Sequence, residues 1–525
     1  MGKPRLPNQK KAYKELSKRL AGYMMRVRNI YDRLNEKAAM LVESVGYDGL
    51  TEFSFDDYPE IEREVKLLLS QFVGELQTLI YSGTSSEWKS SNTFQDAVAD
   101  KALKYYRAQV HGDRFKHYYR NNGDQLKAFL HRKENGLNLS SKLWNQSGNY
   151  KESLEVTIST AIEKGMSATA LSKKLSRYLN DWPSLQADYQ EKYGKATNIH
   201  DCEYRSLRLA RNEISMAYRS AEQARWQQFD FILGYKIKLS DSHPRYDICD
   251  DLTGDYPKDF KFRGWHPNCL CYTVPIVMSE DEYWSDNREN SPNKITTPPK
   301  NFGEWVDKSE NLERIGKANG KGTLPYWLRD NAKIKDCSVL LSKARTYGEA
   351  IQKQAETIAR KYNGTVTPIN YKSFSSMYRK LNSEKDMLVS DIKDSVRNTI
   401  VVEKENIGSV VKELQSLSTF NRYKSQTPEK FCGYSGNIIN LKMPNGIQAE
   451  IQVNTPKMIY AKETEANARK ILGDKVWEQI AKETGMQGGL GHKYYEEIRI
   501  LDEVKDMSKI AELTKLSKSY YAHFR

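Results

Sequence analysis

From about residue 10 to residue 226 apolar side chains recur at spacings of three and four with few β-branched runs, and past Gly234 that period gives way to short alternating stretches. This change of period constrains the chain most, because a helical stripe and a strand face cannot be written in the same pattern. The stripes Leu16-Leu20-Tyr23-Met24-Val27 and Val65-Leu68-Leu69-Phe72-Leu76-Ile80 predict core-facing helices, with polar breaks near Ser82-Gly83-Thr84 and Asn135-Gly136. A helix over about 204–229 is rich in both Arg and Glu, the composition of a solvated or bundle-packed face. Residues 235–239 and 271–276 read as strands, so the first module ends in a small β- and loop-rich segment.

Beyond about residue 281 periodicity is lost through the Pro- and Asn-rich run to residue 335, as expected of a linker. The pattern then alternates in type. Ala344, Tyr347, Ile351, Ala355, Ile358 and Tyr362 make a helical stripe, and 396–402 is a buried-strand candidate. Residues 407–417 form another helix. Residues 437–442 and 448–453 make strands joined by a hairpin at Asn445-Gly446. The predicted class is multidomain: a mainly α N-terminal module ending in the β/loop segment, then an α+β C-terminal domain with a central mixed sheet. The divisions expected are a helical region 1–100, a second domain 101–280, a linker 281–335, a third domain 336–510 and a basic tail 511–525.

At 525 residues the chain exceeds one ordinary core. No stretch is long and apolar enough to span a bilayer, and Met1-Gly-Lys-Pro-Arg-Leu-Pro leads into Lys- and Glu-rich helix and not into a secretory signal. No membrane partner is expected. Six cysteines are too few for a disulfide framework, which favours a reducing compartment. The net charge of +14 attracts polyanions and equally serves solubility.

Three of the six cysteines crowd beside one histidine: Cys249, then His266-Pro-Asn-Cys269-Leu-Cys271. Thiolates with an imidazole suit Zn2+ or another soft metal; the competing arrangement is buried thiols with a His–backbone hydrogen bond. His243 is a further participant to weigh. With Arg208-Leu-Ala-Arg211-Asn-Glu213, Ala217-Tyr218, Leu252-x-Gly254 and Pro257, these residues resemble the phage Mu protein F-like family of head-morphogenesis, or minor head, proteins over about 100–276. Leu270 stands where that family commonly has Arg. The resemblance implies a minor capsid component near the portal, with portal and capsid proteins as partners, DNA as a contact, and the virion as its location.

The C-terminal part carries residues suited to phosphate and magnesium. Lys372, Ser376 and Lys380 fall at successive i, i+4 positions, a helical face of cations for a polyphosphate or a solvated lysine face. Asp394 sits just before the strand beginning at Val396, with Arg397 close behind; a carboxylate there is a hard-cation ligand or a strand cap. Glu450 and Gln452 share one strand face, where an acid binds magnesium or takes a proton, or is simply a surface residue. Tyr434, in Gly433-Tyr434-Ser-Gly436, is placed to stack on a base or to pack a turn.

In that order, with Thr455, Met458, Glu463 and His492-Lys493, they resemble the synthetase domain of the RelA/SpoT family of nucleotide pyrophosphokinases over about 343–502. The resemblance implies Lys372, Lys380 and Arg397 on the ATP phosphates and Asp394 and Glu450 on Mg2+. Ser376, Gln452 and His492 would complete the nucleotide site, with Glu450 as base and Tyr434 stacked on the acceptor. The family's Gly and Arg three and five residues after the magnesium Asp are Arg397 and Thr399 here. Ser435-Gly-Asn-Ile438 follows Tyr434, and Asn454 replaces the Arg before Thr455. The metal side is kept and the acceptor side altered, which leaves a guanine nucleotide, an adenine nucleotide or an RNA end open. The expected function is a minor head protein carrying a pyrophosphokinase as a toxin effector in a bacterial host cytoplasm. The alternative is a non-enzymatic portal-associated protein whose C-terminal domain only binds nucleotide or nucleic acid.

Overall fold

A computed structural model of the chain describes residues 2–44, 52–108, 113–163, 182–194, 201–243, 245–384, 386–430, 432–499, 501 and 506–525. Two compact units emerge, one built from 1–302 with 325–331, the other from 303–324 with 332–525.

In the first unit the long helices Gln9–Glu43, Pro59–Tyr105, Leu139–Glu163 and Cys202–Gln228 pack on one another. Their apolar stripes meet in a core of Val27, Tyr31, Leu34, Phe72, Leu76, Ile80, Leu143, Leu154 and Ile158. No break occurs at Ser82-Gly83-Thr84: helix Pro59–Tyr105 runs through it and across the expected division at residue 100. The reason is packing. A Cβ on Gly83 would lie 2.7 Å from Ile214 Cδ1 and 3.2 Å from a Tyr23 ring carbon, so glycine here serves helix approach and not a turn. Asn135 and Gly136 do make a turn, both with positive φ, closed by the Glu134–Leu137 bridge.

The Arg/Glu-rich helix, Cys202–Gln228, is packed into the bundle with some of its charges paired. Arg225 reaches Asp96 at 2.6 Å, and Glu213 accepts from Arg132 at 2.6 Å. After it, β1 (Ile232–Lys238), β2 (Gly254–Tyr256) and β3 (Tyr272–Val277) form an antiparallel sheet of order β2-β1-β3. The stretch 281–335, expected to be aperiodic, carries helices Lys300–Asp307, Ser309–Gly320 and Tyr326–Arg329. Buried Leu312 and Ile315 anchor the second of these in the second unit.

The second unit is a mixed sheet: β4 (Thr365–Val366), β5 (Asn370–Tyr371), β6 (Val396–Val401), β7 (Phe420–Gln426), β8 (Gly436–Lys442) and β9 (Gln448–Asn454). Its order is β4-β6-β9-β8-β7, with β5 also on β6; among the described residues only β6 and β9 run parallel. Val396, Ile400, Ile439, Leu441, Ala449, Ile451 and Val453 are buried. Helices Ala332–Lys361 and Ile407–Gln415 pack against the sheet. Alternation along the strands leaves Arg397, Thr399, Glu450 and Gln452 for the opposite face. Residues 511–525 are not a free tail. Helix Met507–Ala522 sets Tyr520 and Tyr521, followed by Phe524, into an apolar cluster with Met458, Tyr460 and Ile480. Among the described residues no helix is long and apolar enough to cross a membrane.

Candidate active site

The polar face of the mixed sheet floors a cleft of about 1080 Å³ in the second unit. Lys372, Ser376, Lys380, Asp394, Arg397, Tyr434, Glu450, Gln452 and His492 all line it. Their local structure explains how residues far apart in sequence meet there. Lys372 is not on the helix that the i, i+4 spacing suggested: Ser373 caps helix Phe374–Ser383, its side chain accepting from Ser376 N, so Lys372 precedes the first turn. It follows β5, and its amide donates to Ser395 O at 3.1 Å. Ser376 and Lys380 then project from the helix into the same cleft.

Lys372 Nζ lies 2.5 Å from Asp394 Oδ2. With both side chains under one-fifth exposed, this is an enclosed ion pair and not a solvated lysine face. Asp394 Oδ1 is buried and meets no hydrogen-bond partner among the described residues. One carboxylate oxygen is thus committed to a cation while the other keeps its lone pairs free, which fits a divalent-cation ligand.

The parallel register places Arg397 opposite Glu450 and Thr399 opposite Gln452. Gln452 Nε2 donates to Glu450 Oε1 at 2.7 Å. Burial raises the Glu450 carboxyl above its ordinary range and the Asp394 charge raises it further, against the pull of Gln452, Arg397 and Lys462. A carboxyl so raised is a better proton acceptor near neutrality than an exposed one, and a cation between it and Asp394 would relieve the repulsion.

Tyr434 sits at the edge of the aromatic cluster, its ring 5.6 Å from Tyr521 in an edge-on arrangement. Lys462 Nζ lies 5.7 Å from the Tyr434 ring centre. Asn454 Nδ2 donates to Tyr434 Oη at 2.7 Å and to Ser435 O at 3.1 Å. Asn454 therefore fixes the Tyr434 side chain from the end of β9. Gly433 has φ +93°, and a Cβ there would meet Lys518 Cα at 2.6 Å, so the turn beneath Tyr434 requires glycine. His492 stands at the exposed rim, near Glu496.

Sequence reasoning passed over Arg379, Lys430, Lys462 and Tyr521, which also line the cleft. Arg379 follows Ser376 by three and was legible as its neighbour; the other three arrive only through tertiary packing. The cysteine–histidine residues sit in the first unit. Cys249 Sγ is 3.1 Å from His266 Nε2 and 3.7 Å from Cys269 Sγ, and the sulfurs of Cys249, Cys269 and Cys271 lie within 4.8 Å of one another.

A cleft with cations along one wall and two coupled carboxylates on its floor has the chemistry of a site for a polyphosphate and a divalent cation. No protein-family model matches the chain. The chain is similar to the "(p)ppApp synthetase toxin Tas1" of Pseudomonas aeruginosa (strain UCBPP-PA14), 36% identical over 184 residues, which is 34% of this chain and 41% of that protein. The chain thus spans less than half the length of that relative, and about a third of it is homologous to the toxin. A solved structure of "the complex between the Type VI effector Tas1 and its immunity protein" is 34% identical, covering 36% of this chain and 97% of that one with a TM-score of 0.33. Neither protein bears on the head-protein resemblance of 101–280.

Proposed function

We propose that the second unit is an ATP-dependent pyrophosphokinase of the RelA/SpoT kind, a toxin effector carried on a phage-head-like first unit. The observation that carries this reading is the convergence, in one cleft, of nine side chains scattered between residues 372 and 492. The similarity to a (p)ppApp synthetase toxin supports it.

In this reading Lys372, Lys380 and Arg397, with Ser376, bind the ATP phosphates. Asp394 and Glu450 would hold Mg2+, which when bound supplies positive charge against the phosphates. The acceptor stacks on Tyr434, held by Asn454. Its hydroxyl oxygen attacks the β-phosphorus, the bond from that phosphorus to the α,β-bridging oxygen breaks, AMP leaves, and the hydroxyl proton passes to Glu450. Catalysis is then chiefly positioning and electrostatics. Because two of the altered residues, Ser435 and Asn454, adjoin Tyr434, substrate choice is set on that side. An immunity protein is the kind of partner a toxin of this design would have.

Bacteria producing the full chain should stop growing, and Glu450→Gln should restore growth. Labelled ATP with Mg2+ and guanine nucleotides, adenine nucleotides or RNA would name the acceptor, with transfer lowered about 10²–10³-fold in the variant. Equal growth with and without the substitution, and no labelled product with any acceptor, would refute the enzyme reading and leave binding alone.

A further inference from the structure

We propose that Cys249, Cys269, Cys271 and His266 form a structural zinc site in the first unit, independent of the phosphate chemistry of the second. Three sulfurs within 4.8 Å of one another supply three of the four donors of a tetrahedral site, and His266, its Nε2 3.1 Å from Cys249 Sγ, is the candidate for the fourth. The spacing fits. Zinc–sulfur bonds of about 2.3 Å put sulfurs about 3.8 Å apart at a tetrahedral edge, and Cys249 Sγ and Cys269 Sγ are 3.7 Å apart. A disulfide would need about 2.05 Å.

The surroundings fit as well. His266 Nδ1 lies 2.7 Å from Pro267 O, which makes Nδ1 the N–H donor and leaves the Nε2 lone pair facing Cys249 Sγ at 3.1 Å. Asp247 Oδ2 also faces Nε2, at 3.2 Å. Asp247 thus stands beside the proposed donors as an outer carboxylate, its other oxygen accepting from Cys249 N. Asn268 at φ +65° and Gly264 at φ +116° bend the loop so that Cys269 and Cys271 face inward. A Cβ on Gly264 would press on Arg219 Nη1 at 2.9 Å and Cys269 Cβ at 3.1 Å.

Arg219, buried, spans the loop from behind, donating to the carbonyls of Arg263 at 3.0 Å, Cys269 at 2.8 Å and Cys271 at 2.9 Å. Three thiolates around Zn2+ leave one net negative charge, and the guanidinium supplies the matching positive one. Between them, metal and arginine would tie the Cys249 and Cys269 segments together, adding to the buried aromatic cluster of Tyr256, Phe260, Phe262 and Trp265 that this part of the first unit already has.

The full chain, purified under reducing conditions, should carry one zinc per chain by elemental analysis. After chelation it should take up Co2+ with the intense thiolate-to-metal absorption of a tetrahedral thiolate site. Cys269→Ser should lower metal content and cobalt affinity at least tenfold, whereas Cys202→Ser and Cys337→Ser, buried thiols outside the cluster, should leave both unchanged. A reduced wild-type chain that holds no zinc and gives no thiolate–cobalt absorption overturns the proposal even if Cys269→Ser misfolds. So does metal binding that survives Cys269→Ser, or that is lost equally in the two control variants.

Discussion

Glu222 offers a test of the first unit's energetics that needs no substrate. Its carboxylate is fully buried, Oε2 accepting from Tyr13 Oη at 2.7 Å and from Thr273 Oγ1, and Oε1 from Gln95 Nε2 at 3.4 Å. Burial pushes its pKa up from 4.5 to about 7, against the opposing pull of Thr273, Tyr13 and the Arg219 charge. A group whose folded pKa lies above its unfolded value adds stability that is fully present below the unfolded pKa and lost as pH rises through the folded one. The loss therefore falls between about pH 4.5 and pH 7. A displacement of about 2.5 units at 1.36 kcal/mol each amounts to about 3 kcal/mol.

Thermal unfolding of the full chain, followed at a signal from the first unit, should accordingly show its midpoint falling across that window. The fall is roughly 6 °C at about 2 °C per kcal/mol for a unit of this size. Other groups titrate too, so the quantity that isolates Glu222 is the difference from Glu222→Gln, which cannot ionise. The two proteins should diverge as pH rises, the variant gaining on the wild type by about 3 kcal/mol above pH 7. Parallel pH profiles would refute the assignment of a buried, upward-shifted carboxyl here.

Three further outcomes follow from the second unit. Asn454→Ala, by freeing the Tyr434 hydroxyl, should raise the KM for the acceptor about tenfold, the value of one lost buried hydrogen bond, and leave the KM for ATP unchanged. Tyr520→Ala or Phe524→Ala should each destabilise the unit by about 3–5 kcal/mol in urea unfolding, an outcome that a free basic tail would not give. Gly348→Ala would place a Cβ 1.8 Å from Tyr371 Oη. The ring must shift, at about 1–3 kcal/mol, and Lys372 next to it shifts too, so turnover should fall more than the unfolding midpoint.

How far the sequence reveals this architecture depends on whether a signal is local. The apolar stripes of the long helices and the alternation of β8 and β9 are local patterns, and they appear where the period places them. Gly83 misleads because a glycine that lets two helices approach looks the same in sequence as one that starts a turn. Leu312 and Ile315 were hidden among Asn, Lys and Gly, and Tyr520, Tyr521 and Phe524 among lysines and serines, because what buries them comes from far along the chain. Lys372 could have been kept off the helix, since Ser373 followed by an apolar run is a readable N-cap. In the cleft, the ordered residues were legible through family resemblance, while the Asn454–Tyr434 bond and the Lys372–Asp394 pair required coordinates. The thiols proposed as zinc donors were visible as residue types, and only the fold brings Cys249 beside Cys269 and Cys271.

The parallel pairing of β6 and β9 has a consequence for when the cleft can exist. Asp394, just before β6, and Glu450, in β9, cannot meet until the intervening helix and the β7–β8 antiparallel pair have been laid down, because β9 docks between β8 and β6. Closing so long a loop is late and slow compared with local helix formation. A full-length but partly unfolded chain therefore carries every residue of the cleft without its geometry. Any activity of the cleft would then report completed topology, including the helices after β9 that bring Lys462, His492 and Tyr521 to it.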